Sequence, residues 1–210
     1  MPLPAPFIHP TAIVEGGVKI GDGTEVWDNV HVRGPSSIGE RCIIGGKSYV
    51  SYDVIIEDFC KLNSFVYVCA GVHIEKGVMI SAGAVFANDR YPRAANPALT
   101  AALPSGPPAQ MPRTRVGRGA TIGASAVVGP GLEIGHFAMI GMGAVVTRPV
   151  GAFHLVVGNP AKTVGFVCRC GHSTGRFEGD FRLEAGERVC PACATRYSIL
   201  DGLVTVADNS

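Results

Sequence analysis

Four cysteines near the C-terminus are spaced as two close pairs that could bind a metal ion. One residue separates the members of the first pair and two residues separate those of the second: Cys168, Cys170, Cys190 and Cys193. Four thiolates suit a closed tetrahedral zinc site that leaves no position open for catalysis. The pattern therefore predicts a structural zinc in a zinc-ribbon-like segment over 166–210. His172 is a substitute ligand, and a disulfide or redox pair is the alternative.

A second set of candidate functional side chains lies in a proline-rich stretch over 88–115, which contains four arginines and no lysine. The arginines are Arg90, Arg93, Arg113 and Arg115. Guanidinium groups match the geometry of phosphates. A loop this long inside a compact domain is usually functional or disordered. We therefore expect a loop that closes an active site and presents arginines to phosphates, with a flexible excursion as the alternative.

A six-residue repeat must position these groups. Every sixth residue from Ile8 to Phe86 is apolar, and the same phase resumes from Val116 to Val146. A period of six indicates short strands with a corner at each sixth residue, and three such faces close an 18-residue triangular coil. The pattern predicts an all-β protein, a parallel β-helix over 1–165 interrupted by the insert, with Cys42 and Cys60 pointing inward.

Composition narrows the class of protein further. The net charge of +1 argues against a nucleic-acid or membrane-surface partner. No uncharged apolar run reaches the roughly 18 residues that would span a bilayer. The N-terminal sequence lacks a basic start followed by an apolar stretch, so we expect no signal peptide and a cytoplasmic location. In that reducing compartment, clustered cysteines more often bind metal than form disulfides.

Three short segments carry a resemblance to a known family. Phe-Ala-Asn-Asp at 86–89 is followed by Pro-Arg at 92–93, Val-Trp-Asp-Asn-Val-His-Val-Arg occupies 26–33, and Val-Val-Gly-Asn-Pro-Ala-Lys occupies 156–162. Together with the repeat, they resemble left-handed β-helix acyltransferases, and among them nucleotide-linked amino-sugar N-acetyltransferases. The types they resemble act on UDP-2-acetamido-3-amino-2,3-dideoxyglucuronate and on dTDP-3-amino sugars. The left hand is implied by this resemblance, since the general crossover rule favours the right hand.

The resemblance, which covers 8–165, also implies a reaction. It implies acetyl transfer from acetyl-CoA to the amine of a nucleotide-linked sugar, in surface-polysaccharide (lipopolysaccharide) biosynthesis, by a homotrimer with active sites between subunits. Asn88 would lie beside the accepting amine and position it without acting as a base. The CoA groove would lie beside the final coils and include Gly141, Gly143, Ala144, Arg148 and Lys162. Ala87 stands where threonine is usual, which leaves the sugar open.

Counting in steps of 18 assigns further candidates. The count places His73 one coil below Tyr91, next to the insert, as a general base or sugar contact. It places His31 in one column with Tyr67, three coils or roughly 14 Å below the insert, which is too far for direct proton transfer. The remaining candidates are expected to bind the substrate, either its nucleotide or its sugar. These are His31, Arg33, Tyr67, Asp89, Arg90 and Arg93.

Three other functions compete with the N-acetyltransferase. A γ-class carbonic anhydrase needs a closely spaced histidine pair for its zinc, which the six histidines do not provide. A non-catalytic β-helix scaffold stays open. A hydroxyl-directed O-acetyltransferase also stays open, and it would need a histidine base at the acetyl group. The sequence does not distinguish a UDP from a dTDP substrate.

Overall fold

The computed structural model describes residues 2–104, 106, 111–177, 179–180, 182 and 184–207. Its strands stack into three parallel sheets, which we call sheets A, B and C. Sheet A contains β1 (Phe7–Ile8), β4 (Glu25–Val26), β7 (Ile43–Ile44), β10 (Lys61–Leu62), β13 (Met79–Ile80), β16 (Thr121–Ile122) and β19 (Met139–Ile140). Sheet B contains β2 (Ile13–Val14), β5 (His31–Val32), β8 (Tyr49–Val50), β11 (Tyr67–Val68), β14 (Val85–Phe86), β17 (Val127–Val128) and β20 (Val145–Val146). Sheet C contains β3 (Val18–Ile20), β6 (Ser36–Ile38), β9 (Ile55–Ile56), β12 (His73–Ile74), β15 (Arg115–Val116) and β18 (Glu133–Ile134).

One strand from each sheet makes a coil, and successive coils stack in parallel register. Coil 1 is β1–β3, each later coil takes the next three strands, and coil 7 has only β19 and β20. The register pairs residues 18 apart, as Val26 with Ile44 and Ile44 with Leu62. The inward side chains of coils 2 to 7 are buried, Cys42 and Cys60 among them, so the predicted β-helix core is confirmed. Burial of each such aliphatic side chain stabilises the fold by about 1.5–3 kcal/mol.

Three edges, named by the sheets they join, run along the β-helix where the chain turns. The AB edge includes 27–30, 45–48, 63–66 and 141–144, and the BC edge includes 33–35, 69–72, 129–132 and 147–149. Position 45, on the AB edge, requires glycine, because a Cβ would lie 2.6 Å from the backbone of Asn63 and Ser64 in the next coil. Close stacking of coils therefore fixes small residues at several corners, whatever their role in chemistry.

The C-terminal strands close one end of the β-helix. Sheet A continues into β21 (His154–Val157), and then antiparallel into β22 (Lys162–Val167) and β23 (Ser173–Arg176). A separate sheet contains β24 (Gly186–Val189), β25 (Arg196–Leu200) and β26 (Leu203–Val206). The predicted boundary at 165/166 falls inside β22, and the division into two domains stays a prediction.

A second hydrophobic core joins this C-terminal segment to the last coils. It packs Phe153 and Phe166 against Tyr197, with the buried Cys168 and Cys190 beside them. The Nε2–H of the buried His154 donates to the carbonyl oxygen of Gly202, 2.8 Å away. At the opposite end, Ile8 is 42% exposed because no coil stacks beneath it. No helix among the described residues has the length and apolar character to cross a bilayer.

Candidate functional site

The insert leaves the β-helix at the BC edge of coil 5 and returns without disturbing the stacking. It departs after β14 and rejoins at β15, so the coil resumes at Arg115, the last residue of the predicted insert. Val85 stacks on Val127, and His73 stacks on Arg115. The prediction that His73 lies one coil below Tyr91 is therefore wrong, because the insert removes Tyr91 from the coil and leaves it 84% exposed.

The middle of the insert forms a short hairpin. Ala95 and Ala102 make an antiparallel bridge, and the amide of Leu103 donates to the carbonyl of Ala94 at 3.0 Å. The Oδ1 of Asn96 accepts the amide of Thr100 at 2.9 Å, which closes the tip. Leu99 at this tip is 82% exposed. The described residues 88–104, which we call the arm, thus form a hydrogen-bonded segment at the BC edge with exposed apolar side chains such as Tyr91 and Leu99.

Asn88, the predicted amine contact, lies half-buried where the insert departs. Its Nδ2 donates to the Sδ of Met111, 3.3 Å away on the segment that leads back to β15. Its Oδ1 makes no hydrogen bond within the part of the chain that the structure describes. The next residue, Asp89, uses its Oδ1 to accept the amide of Tyr91 at 2.8 Å. The geometry leaves Asn88 with one unpaired acceptor oxygen at the base of the arm.

A groove of about 370 Å³ follows from this point along the BC edge. Asp89 and Arg90 form one wall, and Gly129, Pro130 and Thr147 of the next two coils form the other. Arg148 follows directly on the same edge. Neither Arg90 nor Arg148 has an ionic partner among the described residues. The structure thus brings four predicted site residues to one edge. Arg93 lies exposed on the arm, where its Nη1 donates to the carbonyl of Pro92 at 2.8 Å.

Two predicted nucleotide contacts, His31 and Tyr67, lie on the outer face of sheet B, and the third, Arg33, follows at the BC edge. His31, Tyr49 and Tyr67 stack in one column, as predicted, with ring centroids 5.4 and 5.2 Å apart. The Nε2 of His31 lies 2.9 Å from Oε1 of Glu15, which also accepts Nε of Arg33 at 3.1 Å. The hydrogen bond from His31, with those from the amide of Gly34 and from Arg33, lowers the pKa of Glu15.

His73 lies on sheet C in a ladder of ionic side chains. Its Nε2 is 2.8 Å from Oε1 of Glu57. The next step of the ladder pairs Arg115 with Glu75. Burial raises the pKa of Glu75, but hydrogen bonds from the amide of Arg118 and from Arg115 outweigh it, so the pKa lies below its usual value. His73 therefore has a carboxylate partner that sequence reasoning missed.

A spacing signal could have found both carboxylates. Glu15 precedes His31 by 16 residues, and Glu57 precedes His73 by the same number. One coil is 18 residues, so 16 places the glutamate two residues beyond the histidine's column, on the same face of the sheet. Both pairs are within hydrogen-bond distance. A search for acid–histidine pairs at this offset would have named Glu15 and Glu57.

Three predicted CoA residues lie on the AB edge, and Lys162, the first residue of β22, lies next to it. Gly141, Gly143 and Ala144 form the corner of coil 7. Lys162 follows beside them, because the amide of Ala161 donates to the carbonyl of Val145 at 2.8 Å. Sheet B separates this edge from Asn88 on the BC edge. One chain alone does not bring the predicted CoA glycines and the predicted amine contact together.

The four C-terminal cysteines converge, as their spacing suggested. Their Sγ atoms all lie within 4.8 Å of one another, with 3.4 Å between Cys168 and Cys193 and 3.6 Å between Cys170 and Cys190. A tetrahedron with Zn–S bonds of about 2.3 Å has edges of about 3.8 Å, whereas a disulfide needs about 2.05 Å. The cluster fits a zinc ion, and the hydroxyl of Tyr197 donates to the Sγ of Cys168 at 3.0 Å.

Comparison with known proteins decides the family. The family model "Bacterial transferase hexapeptide (six repeats)" matches residues 17–51 and 113–148, and "Hexapeptide repeat of succinyl-transferase" matches 35–70. A dTDP-3-amino-3,6-dideoxy-alpha-D-galactopyranose 3-N-acetyltransferase of Aneurinibacillus thermoaerophilus is 36% identical over 199 residues, 95% of this chain and 94% of the relative. The chain belongs to the hexapeptide-repeat acyltransferases. The fold is accordingly the left-handed parallel β-helix of that family.

Other members of the family match less completely. A chloramphenicol acetyltransferase of Agrobacterium fabrum is 33% identical over 112 residues, which is 53% of this chain and 50% of the relative. Among solved structures, a histidine-to-alanine mutant of GDP-perosamine N-acetyltransferase from Caulobacter crescentus, in complex with CoA and GDP-perosamine, superposes with a TM-score of 0.51. It is 24% identical, over 78% of this chain and 58% of that one, and so supports the fold alone.

Proposed function

We propose that this acyltransferase moves the acetyl group of acetyl-CoA onto the amine of a nucleotide-linked amino sugar, of UDP or dTDP type, for a surface polysaccharide such as lipopolysaccharide. One observation carries the proposal: the similarity to an amino-sugar 3-N-acetyltransferase extends over 95% of the chain, so it includes the insert as well as the repeat. Use of acetyl-CoA and a nucleotide sugar also favours the cytoplasm, where both are made.

The reaction needs few catalytic groups, because an unprotonated amine is already a good nucleophile. The sugar nitrogen attacks the thioester carbonyl carbon, the C–N bond forms, the carbonyl becomes a tetrahedral oxyanion, and the C–S bond then breaks. The nitrogen loses one proton and the departing CoA sulfur gains one, so the exchange balances. The protein must orient the amine, take up the proton and stabilise the oxyanion.

Asn88 is the residue that we assign to the amine. Since its Nδ2 donates to Met111, its Oδ1 is left to accept an N–H of the sugar amine. That hydrogen bond aims the nitrogen lone pair without removing a proton, because a carboxamide is not a base. Asp89 and Arg90 line the groove that begins at the same point, and we assign them to the sugar and its phosphates.

His73 stays the proposed base or sugar contact. Glu57 holds its Nε2, which leaves Nδ1 as the atom that could accept a proton. If His73 acts in this way, His73→Gln lowers kcat by about 10²–10⁴-fold. A change below threefold would instead show that the pair with Glu57 only stabilises sheet C.

We propose that the active unit is a homotrimer with its sites between subunits. In one chain, sheet B separates Asn88 from Gly141, Gly143 and Ala144, whereas the reacting amine and thioester must touch. A neighbouring copy that brings its AB edge to the BC edge of the first would unite them. The arm, with exposed Tyr91 and Leu99, supplies apolar surface for such a contact.

We also propose that the C-terminal segment 166–210 holds one structural zinc and forms a domain distinct from the β-helix at 1–165. Cys168, Cys170, Cys190 and Cys193 would bind the ion, which supplies folding energy that so small a segment lacks. Hydrogen bonds from Thr195 already lower the pKa of the Cys193 thiol to about 6. All four positions are thiolate ligands once zinc is bound.

The test is a thiol-release assay with acetyl-CoA against a panel of UDP-, dTDP- and GDP-linked amino sugars and matching hydroxyl sugars. We expect turnover on at least one amino sugar and none on its hydroxyl counterpart. Turnover confined to hydroxyl acceptors, including chloramphenicol, would replace the proposal with O-acetyl transfer. No turnover on any acceptor would favour a non-catalytic scaffold.

A further inference from the structure

A second groove of the β-helix lies away from the insert, on the AB edge of coils 2 to 5. It encloses about 530 Å³, and its lining includes Trp27, Asp28, Gly45, Gly46, Asn63 and Ser64. Trp27, Gly45 and Asn63 occupy one column, because their amides donate in turn to the carbonyls that end the strands of the next coil. The two glycines leave bare backbone between an indole on one side and a carboxamide on the other.

Trp27 offers a flat apolar surface at one end of this groove. It is the single tryptophan of the chain. Its side chain is 41% exposed, although Phe7 packs edge-on against it with 5.6 Å between ring centroids. Aromatic rings that remain exposed beside a glycine floor are suited to stacking on a planar ligand, and base–aromatic stacking is sequence-tolerant.

The polar groups of the groove have hydrogen-bonding capacity left over. Oδ2 of Asp28 accepts from Lys47 at 2.9 Å and from Asn29 at 3.2 Å, while its Oδ1 leans over Gly46 without a hydrogen bond in the described part of the chain. The carboxamide of Asn63 and the hydroxyl of Ser64 likewise have no partner among the described residues. The pair with Lys47 lowers the pKa of Asp28, so its carboxylate is ionised and only accepts hydrogen bonds.

We infer that this groove binds the base of the nucleotide sugar, with Trp27 stacking on it and Asp28 accepting a ring N–H. A carboxylate that accepts from a ring N–H, next to a carboxamide that can pair with an adjacent carbonyl, fits uracil, thymine or guanine. It does not fit adenine or cytosine, whose corresponding ring nitrogens are acceptors. The inference rests on the proposed function for the identity of the ligand.

The height of the groove agrees with this assignment. Coil 2, which carries Trp27, lies three steps or about 14 Å below coil 5, which carries Asn88. In one chain, sheet B also separates this groove on the AB edge from Asn88 on the BC edge, so the groove that meets Asn88 is that of the neighbouring copy in the proposed trimer. A diphosphate and one sugar ring then bridge the height of about 14 Å. The glycines assigned to CoA lie above Asn88, in coil 7. The adenine of CoA is therefore the less suitable occupant, by position as well as by hydrogen bonding.

The single tryptophan makes a direct test possible. UDP, dTDP, GDP, ADP, CDP, CoA and pyrophosphate are titrated into the wild-type protein, with tryptophan fluorescence and calorimetry as readouts. We expect saturable quenching by at least one of UDP, dTDP and GDP, with a Kd at least about tenfold below those of ADP and CDP. Absence of such binding, or equal binding of ADP, would overturn the inference.

Variants separate the inference from the proposed function. Trp27→Ala should raise the KM for the nucleotide sugar about five- to hundredfold, with kcat and the KM for acetyl-CoA nearly unchanged, and Trp27→Phe should restore most of the loss. Phe59→Ala, at a similarly exposed ring (45%) on another edge, is the matched control. Full turnover with an unchanged KM in Trp27→Ala refutes this inference alone. Nucleotide binding that Trp27→Ala abolishes, in a protein without amino-sugar turnover, refutes the proposed function alone.

Discussion

At the residue scale, the environment of Asn88 explains why an amide and not a carboxylate suits the proposed role. Its Nδ2 is held by Met111 across the base of the arm, so the orientation of Oδ1 is fixed before substrate arrives. An aspartate there would keep an acceptor but lose the contact with sulfur. Preorganised orientation of this kind is what raises the rate when the nucleophile is already reactive.

We therefore expect Asn88→Ala to lower kcat about ten- to hundredfold, because the amine loses its orienting acceptor. Asn88→Asp retains an acceptor oxygen and should lose less. Steady-state thiol release measures both, and light scattering checks that the oligomer is unchanged. Wild-type turnover in Asn88→Ala would remove this residue from the site.

The buried His154 links stability to pH. Burial lowers its pKa below the usual 6.5, so the unfolded chain binds the proton more readily than the folded one. Stability is thus complete above about pH 6.5 and falls as pH decreases below that value. We expect urea midpoints to drop between pH 7 and 5 in the wild type, and to drop less in His154→Gln. Identical slopes in the two proteins would contradict this role.

At the element scale, the arm and the coil are separable. The carbonyl of Ala94 and the amide of Leu103 already meet at 3.0 Å, so residues 95–102 can be replaced by an Asn-Gly turn without moving the flanking backbone. The shortened protein should melt within a few degrees of wild type, since the arm contributes nothing to the core, but should lose at least about tenfold in kcat/KM. Full activity would show that the arm plays no part in the site.

The cluster of four C-terminal cysteines predicts that the purified protein contains zinc. We expect one zinc per chain by elemental analysis, and loss of both the zinc and the cooperative melting of the C-terminal segment in Cys190→Ser. Cys60→Ala is the matched control, because Cys60 occupies an inward position of the coil where alanine occurs elsewhere. Zinc-free wild-type protein with a disulfide between residues 168 and 193 would contradict the prediction.

Sequence reasoning reached the elements more securely than the contacts between them. The repeat predicted the inward columns, because every coil buries the same positions and Cys42 and Cys60 obey that rule. It misplaced His73 beside Tyr91, because counting by 18 fails once the chain leaves the coil. It missed Glu57, because pairing across coils depends on the length and direction of side chains, which a periodic count does not contain.

At the scale of the whole molecule, we propose that assembly is a condition of activity, because the predicted site is divided between two edges. We expect a mass near three times 21.9 kDa in solution. Asn88→Ala chains and Lys162→Glu chains, each weakly active alone, should regain activity when refolded together. In such mixed trimers, some interfaces join the intact BC edge of a Lys162→Glu chain to the intact AB edge of an Asn88→Ala chain. An active monomer, or no recovery on mixing, would contradict the shared site.

The clean departure and return of the chain at residues 87–114 also bears on how such proteins diversify. Val85 still pairs with Val127 of the next coil, so the stacking of the coils above and below the insert does not depend on the sequence of the insert. Duplications, deletions or exchanges at this corner leave the packing of the core unchanged. Selection then acts on them only through the acceptor that the altered insert allows to bind. A lineage can therefore explore new acceptors here while its scaffold stays under unchanged selection for stability.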